Sequence, residues 1–177
     1  MYGSVLVDMI TLHKLMPPEN HDLFTRFPEL NLIWEVPALQ QSARESYEGW
    51  DTRKYGGETD GEIFAIMEGE KAVGITGWFE YGDIPDVLRL RYYGIVPSRR
   101  GMKYGEETMR QLLERLSVVA PPQYKWLAES VSIERSTAPK VITHFKRMGF
   151  EEFDDPNYGS NAGCGKTQSL RVRIPGR

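Results

Sequence analysis

The chain has 177 residues, 40% of them hydrophobic and 27% charged, with a formal net charge of −3. That is enough chain for a buried core and an ordinary globular composition, and the slight acidic excess argues against a nucleic-acid binder, whose domains carry a basic balance. The single cysteine, Cys164, excludes an intrachain disulfide and a cysteine-based zinc site. No apolar run approaches the roughly 20 residues that span a bilayer. His13, His21 and His144 lack metal-ligand spacing, so no metal is expected. The opening MYGSVLVDMI has no basic n-region and carries an acid in its apolar run, a poor signal peptide. The reading is one cytoplasmic domain over residues 1–177, with no membrane and no nucleic-acid partner.

In chain order, residues 4–12 read as a strand. ProProGlu at 17–19 can start a helix reaching about Arg26 and stopping before Pro28. From Pro37 to Trp50 the apolar and small residues recur at three- and four-residue steps, which predicts a second helix. Residues 54–61 are loop, and the runs 62–67 and 72–80 flank GluGlyGluLys, a hairpin signal. Residues 87–96 form a strand ending at Pro97. The period then turns helical from Gly101 to about Val119, with Tyr104, Met109, Leu112, Leu113 and Leu116 on one face, and two prolines at 121–122 forbid continuation. Residues 124–131 are a strand, 136–148 a helix with Gly149 as its stop, and 150–153 and 168–174 two last strands around a Gly-rich loop.

That loop reads GSNAGCGKTQ and ends like a phosphate-binding loop. The spacing G-x-x-x-x-G-K-[ST] fails, because the residue five before Gly165 is Ser160. Such a loop must also open a helix, whereas Gln168–Ile174 alternates like a strand. A Gly-rich connection between strands is the better reading.

The stretch YYGIVPSRRGMKYGEETM carries more. A strand ends, a short turn holds Arg99 and Arg100, and a helix starts around Gly101 to Gly105. A helix start offers unpaired N–H groups and the positive dipole end, and arginines add charge, which suits a phosphate. This segment resembles motif A of the GNAT superfamily of N-acetyltransferases, [QR]-x-x-G-x-[GA] after a strand ending V-x-P. Ile95, Val96 and Pro97 occupy the strand end, Arg100 the first motif position, Gly101 follows it, and Gly105 stands at the last position. Downstream, HFKRMGF resembles the family's second signature, with Phe145, Gly149 and Phe150 on its pattern. The resemblance covers about residues 60–155, and the region before it only through element order.

The resemblance implies a mixed α/β, α+β-like GNAT fold: a central, mostly antiparallel, splayed sheet of about seven strands flanked by four helices. It implies an N-acetyltransferase using acetyl-CoA as co-substrate and a primary amine, on a small molecule or a protein, as acceptor. The cofactor would lie against Ile95, Val96, Arg99, Arg100, Gly101, Met102, Lys103, Tyr104 and Gly105. A backbone N–H near Ile95 or Val96 would meet the oxyanion. Lys103 stands where the family has its middle glycine; a lysine with helical dihedrals would keep its N–H available. Phe145 stands where the acid tyrosine is common, and Ala138 where an asparagine is common. Glu129, Tyr92 and Tyr93 are therefore the candidate catalytic residues, with Glu80, Tyr81, His144 and Tyr158 behind them. The acidic run Glu151, Glu152, Asp154 and Asp155 reads as a solvated face, and Trp34, Trp50 and Trp78 as core. A homodimer through the last strand is expected. The rival reading is a GNAT-fold module that binds acyl-CoA or a protein partner without turnover.

Overall fold

The computed structural model describes residues 10–50, 60–156 and 166–177. Its elements run β1 (Thr11–Lys14), α1 (Leu23–Arg26), α2 (Pro37–Glu48), β2 (Asp60–Glu68), β3 (Lys71–Glu80), β4 (Val87–Ile95), α3 (Tyr104–Val119), β5 (Trp126–Ser132), α4 (Ala138–Arg147), β6 (Glu151–Glu152) and β7 (Thr167–Arg173), with 3-10 turns at Pro28–Leu32 and Pro97–Arg99. This is the expected element order. The strands form one seven-stranded, mostly antiparallel sheet in the order β1-β2-β3-β4-β5-β7-β6. β4 pairs with β5 in parallel, and their ladder is short: Val87 against Trp126, Leu88 against Leu127 and Arg89 against Ala128.

Two compact units divide the chain. The first holds the described residues of Met1–Tyr55, Glu62–Gly77 and Arg91–Leu112. Its core gathers Leu23, Phe24, Leu30, Tyr47, Ile63, Ile66 and Ile75, all fully buried, each worth about 1.5–3 kcal/mol of burial. Gly94 on β4 is a close approach, because a Cβ there would lie 2.2 Å from Ile33 Cγ2. The Tyr47 hydroxyl donates to the Tyr92 carbonyl at 2.9 Å, tying α2 to β4. Gln111 of α3 donates to the Ile10 carbonyl at 2.9 Å and accepts from the Leu12 N–H at 3.2 Å, which anchors the edge strand β1.

The second unit holds the described residues of Gly56–Gly61, Trp78–Leu90 and Leu113–Arg177. Here β5 pairs with β7 over seven residues, Trp126 against Arg173 through Ser132 against Thr167, and β6 adds two residues beyond β7. Leu88, Leu116, Leu127, Leu170 and Ile174 are fully buried, and the Phe145 and Phe150 rings meet edge to face with centroids 4.9 Å apart. A buried ion cluster is set among them. Arg89 donates to Asp155 at 2.5 Å and to Asp83 as well. Burying a guanidinium is costly unless it is paired in this way.

Three expectations change. The helix expected from Pro17 is mostly turns, with i to i+3 bonds from Glu19 to Met16 and His21 to Pro18, and α1 itself begins at Leu23. The cause is Asn20, fully buried, whose side-chain amide donates to the carbonyls of Tyr47 and Trp50 at the end of α2; a continuous helix would not deliver it there. The strand expected over 4–12 is observed as Thr11–Lys14, and residues 4–9 lie outside the described residues. Finally, α3 starts at Tyr104 and not at Gly101, because Gly101 and Lys103 have φ of +82° and +61°, left-handed values that no right-handed helix contains. The loop expected over 54–61 and the Gly-rich loop with Tyr158 and Cys164 fall outside the described residues, apart from Asp60–Gly61 and Lys166.

Candidate functional site

In the first unit the strand–turn–helix is built as the sequence suggests, but its side chains face the scaffold. The Val96 N–H donates to the Val73 carbonyl of β3 at 2.9 Å. It is therefore committed, and the expectation that it serves an oxyanion is corrected. Alternation along a strand turns the Ile95 N–H to the edge away from β3. The Ser98 hydroxyl donates to Glu29 at 3.1 Å. The Arg99 guanidinium donates to Glu68 at 2.7 Å. The Arg100 guanidinium caps two carbonyls, Ile95 at 3.1 Å and Ile33 at 2.7 Å. The Tyr104 hydroxyl also donates to Glu68. These two donors, Tyr104 first and Arg99 next, hold the Glu68 carboxyl below its ordinary range.

Gly101, Met102 and Lys103 fill the turn between these anchors, all three exposed. A Cβ at Gly101 would meet open space, so its glycine answers to φ and not to crowding. Lys103 adopts the same left-handed region with a side chain, at a cost of about 1 kcal/mol. That corrects the expectation of helical dihedrals there. Among the described residues its ammonium makes no hydrogen bond or ion pair. Behind the turn, Gly105 is buried in the first turn of α3; the first helical bond runs from the Glu107 N–H to the Lys103 carbonyl at 3.2 Å, and the Gly105 and Glu106 N–H groups precede it.

Tyr92 and Tyr93 point to opposite faces of β4, as adjacent strand residues do. Tyr92 meets the Trp34 ring edge to face at 5.9 Å. Burial pushes the Tyr93 phenol well above its ordinary value, and the Glu106 carboxylate adds to the shift.

Glu129 belongs to the second unit, on β5 opposite Leu170 of β7. Burial pushes its carboxyl up to about 7, against the Ser130 N–H and the Arg89 charge, which both pull it down. Its Oε1 accepts from the Ser130 N–H at 2.8 Å. A carboxylate poised near neutrality can take and return a proton at physiological pH. Phe145 is buried against Phe150 and has no proton to give. His144 packs beside Phe145, with centroids 6.1 Å apart. Tyr124 is pushed up to about 12 by burial and by a hydrogen bond to Glu80. Tyr81 is exposed and meets Phe79 edge to face.

The acidic run divides. Glu151 pairs with Arg171 at 3.3 Å and Glu152 with Lys146 at 2.6 Å on the surface, while Asp155 is buried on Arg89, which corrects its reading as a solvated face. Trp50 and Trp78 are core, and Trp34 packs partly buried against it. Thr167 opens a strand and not a helix, which removes the nucleotide-loop reading of GCGKT. Glu68 was missed from the sequence, since nothing local marks a glutamate before a hairpin as the partner of residues 31 and 36 positions later. No group of three or more His, Cys, Asp or Glu able to hold a metal ion is found among the described residues, and no described helix is long and apolar enough to cross a membrane.

The sheet order, the strand–turn–helix and the four helices together define a fold of the GNAT class, and the chain has that fold. The solved structures it is similar to include a protein of the GNAT family from Desulfovibrio desulfuricans, at a TM-score of 0.67 and 14% identity over 93% of this chain and 99% of that one. An acetyltransferase from Thermus thermophilus matches at a TM-score of 0.60 and 17% identity over 94% and 97%. The spermidine N-acetyltransferase of Vibrio cholerae, in complex with CoA and spermine, matches at 0.58 and 15% over 94% and 96%. No protein-family model and no curated protein matches the sequence.

Proposed function

We propose that this chain is an N-acyltransferase that takes acetyl-CoA as co-substrate and passes the acetyl group to a primary amine. The observation that carries the reading is the β4–α3 turn. The side chains of Ser98, Arg99, Arg100 and Tyr104 are tied back to the scaffold, and the Gly105 and Glu106 N–H groups, ahead of the first helical bond of α3, suit an anion. A pyrophosphate is the anion that acetyl-CoA would bring. Backbone donors need no particular side chain, which explains how a motif with Lys103 in place of glycine can keep the function. The fold shared with a spermidine N-acetyltransferase bound to CoA and spermine supports the same reading.

In the reaction the neutral amine nitrogen forms a bond to the thioester carbonyl carbon, the C–S bond breaks, and the proton that the nitrogen sheds as it becomes an amide passes to the departing thiolate, which leaves as the free thiol of CoA. The acceptor arrives as an ammonium and must lose a proton first. Among the candidate residues Glu129 is the one whose carboxyl titrates near 7, the range that a general base for this step needs. The Ile95 N–H donates to the developing oxyanion. Tyr93 holds its proton through the working pH range and gives a hydrogen bond to the departing sulfur; Tyr92, packed on Trp34, borders the acceptor. Lys103 adds a cation beside the phosphates. Oligomers of two or more copies fit this reading, since a spermidine N-acetyltransferase with the same fold is dodecameric.

The test is release of free thiol from acetyl-CoA by the purified protein with spermidine, spermine and a lysine peptide as probes. Thiol release with a product heavier by one acetyl group is expected. Saturable acetyl-CoA binding with no thiol release from any probe would favour the binding module without turnover, the reading that Phe145 keeps open.

A further inference from the structure

Glu68 is the residue this structure brings forward. It ends β2, far in sequence from the turn, and its two carboxylate oxygens go to different places. One accepts from Arg99, two residues before Gly101, at 2.7 Å. The other accepts from the hydroxyl of Tyr104, the first residue of α3. One carboxylate thus staples both flanks of the turn Arg100–Lys103, in which Gly101 and Lys103 are left-handed. The staple itself rests on a supported base. Glu29, on the 3-10 turn after α1, accepts from Ser98 at 3.1 Å and from Lys71 of β3 at 3.1 Å.

We propose that Glu68 is a positioning residue: it holds the two flanks of the β4–α3 turn so that the backbone N–H groups between them face a phosphate in a fixed arrangement. The proposal rests on the acetyl-CoA reading of the turn. The physical case is that Gly101 and Lys103 both occupy left-handed dihedrals, which an exposed turn holds only if its ends are fixed. Donors fixed before binding cost no ordering when the ligand arrives. An Arg99 side chain free to swing would still offer charge; one stapled to Glu68 offers geometry instead. Glu68 touches neither cofactor nor acceptor in this account.

The experiment measures dissociation constants of CoA and of pantetheine, which lacks the phosphates, for the wild-type protein and for Glu68→Gln and Tyr104→Phe, with the melting temperature of each. Gln keeps one acceptor oxygen and the shape, so folding is preserved. We expect Glu68→Gln to weaken CoA about tenfold and leave pantetheine within about twofold. Tyr104→Phe, which removes one arm, should weaken CoA less. A lower melting temperature with CoA affinity unchanged, or with both ligands weakened equally, would make Glu68 ordinary structural support and overturn the proposal. Tighter CoA binding by Glu68→Gln would overturn it too, by making the carboxylate a repulsive neighbour of the phosphates. Wild-type protein that binds no CoA would instead overturn the acetyl-CoA reading, and the proposal with it.

Discussion

Two glutamates on two strands have met opposite fates. Glu68, at the end of β2, is given donors by Tyr104 and Arg99, and its carboxyl is held below its ordinary range. Glu129, on β5, is half-buried with one backbone donor, and desolvation pushes its carboxyl up to about 7. The first stays charged and braces a turn. The second can change charge at neutral pH. The same side chain is held charged or brought near neutrality according to whether donors or desolvation dominate its surroundings, and the brace and the base proposed from them can each be tested by removing the carboxylate.

The largest effect is expected at Glu129. Replacing it with Gln should lower kcat/KM for acetyl transfer by about 10²–10⁴-fold, the usual worth of a general base, and should remove the acid limb of the pH profile. A profile that keeps an apparent pKa near 7 in the variant would assign the base elsewhere.

Next comes the contrast between two arginines held by carboxylates. Asp155→Ala takes one carboxylate from the buried Arg89 and should cost about 3 kcal/mol in denaturant unfolding. Glu68→Ala frees a partly exposed pair at Arg99 and should cost about 1 kcal/mol or less. Equal costs would mean that burial does not separate the two clusters.

Stability should also carry the mark of Glu129. Its folded carboxyl titrates near 7, above the ordinary value of about 4.3 in an unfolded chain. Between these values the folded protein binds more protons than the unfolded one, so this contribution is full at low pH and is lost as pH rises through 7. Glu129→Gln should therefore gain on the wild type between about pH 4.5 and 8, by on the order of 2 kcal/mol. Parallel stability curves would place Glu129 in water.

The smallest effect is at Lys103. Lys103→Gly relieves the left-handed strain but frees the unfolded chain, for a net gain of about 0.5 kcal/mol. It should also weaken CoA about threefold by removing one cation. Unchanged CoA affinity would show that the ammonium never meets a phosphate.

Much of this was readable beforehand, and particular residues explain the boundary. The β4–α3 passage is written locally: an alternating strand up to Pro97, a glycine where the chain must turn left, and helical period after it. Glu129 could be placed on a strand because β5 alternates between two prolines and a helix. Asp155 could not be read, because its meaning depends on Arg89, 66 positions away, and beside Asp154 it resembles any solvated acid. Asn20 was hidden for the same reason, since its partners lie at the end of another helix. Lys103 misled, because its residue type favours a right-handed helix and the anchored turn overrides it. What the sequence concealed was which distant side chains each charge would find.

The most direct measurement is calorimetric titration of the protein with acetyl-CoA beside a Gly105→Glu variant, which puts a carboxylate at the buried start of α3. Saturable binding that the variant abolishes, with its fold intact by circular dichroism, is the result this account requires. Binding that survives the substitution, or no binding to the wild-type protein at near-millimolar acetyl-CoA, would contradict it.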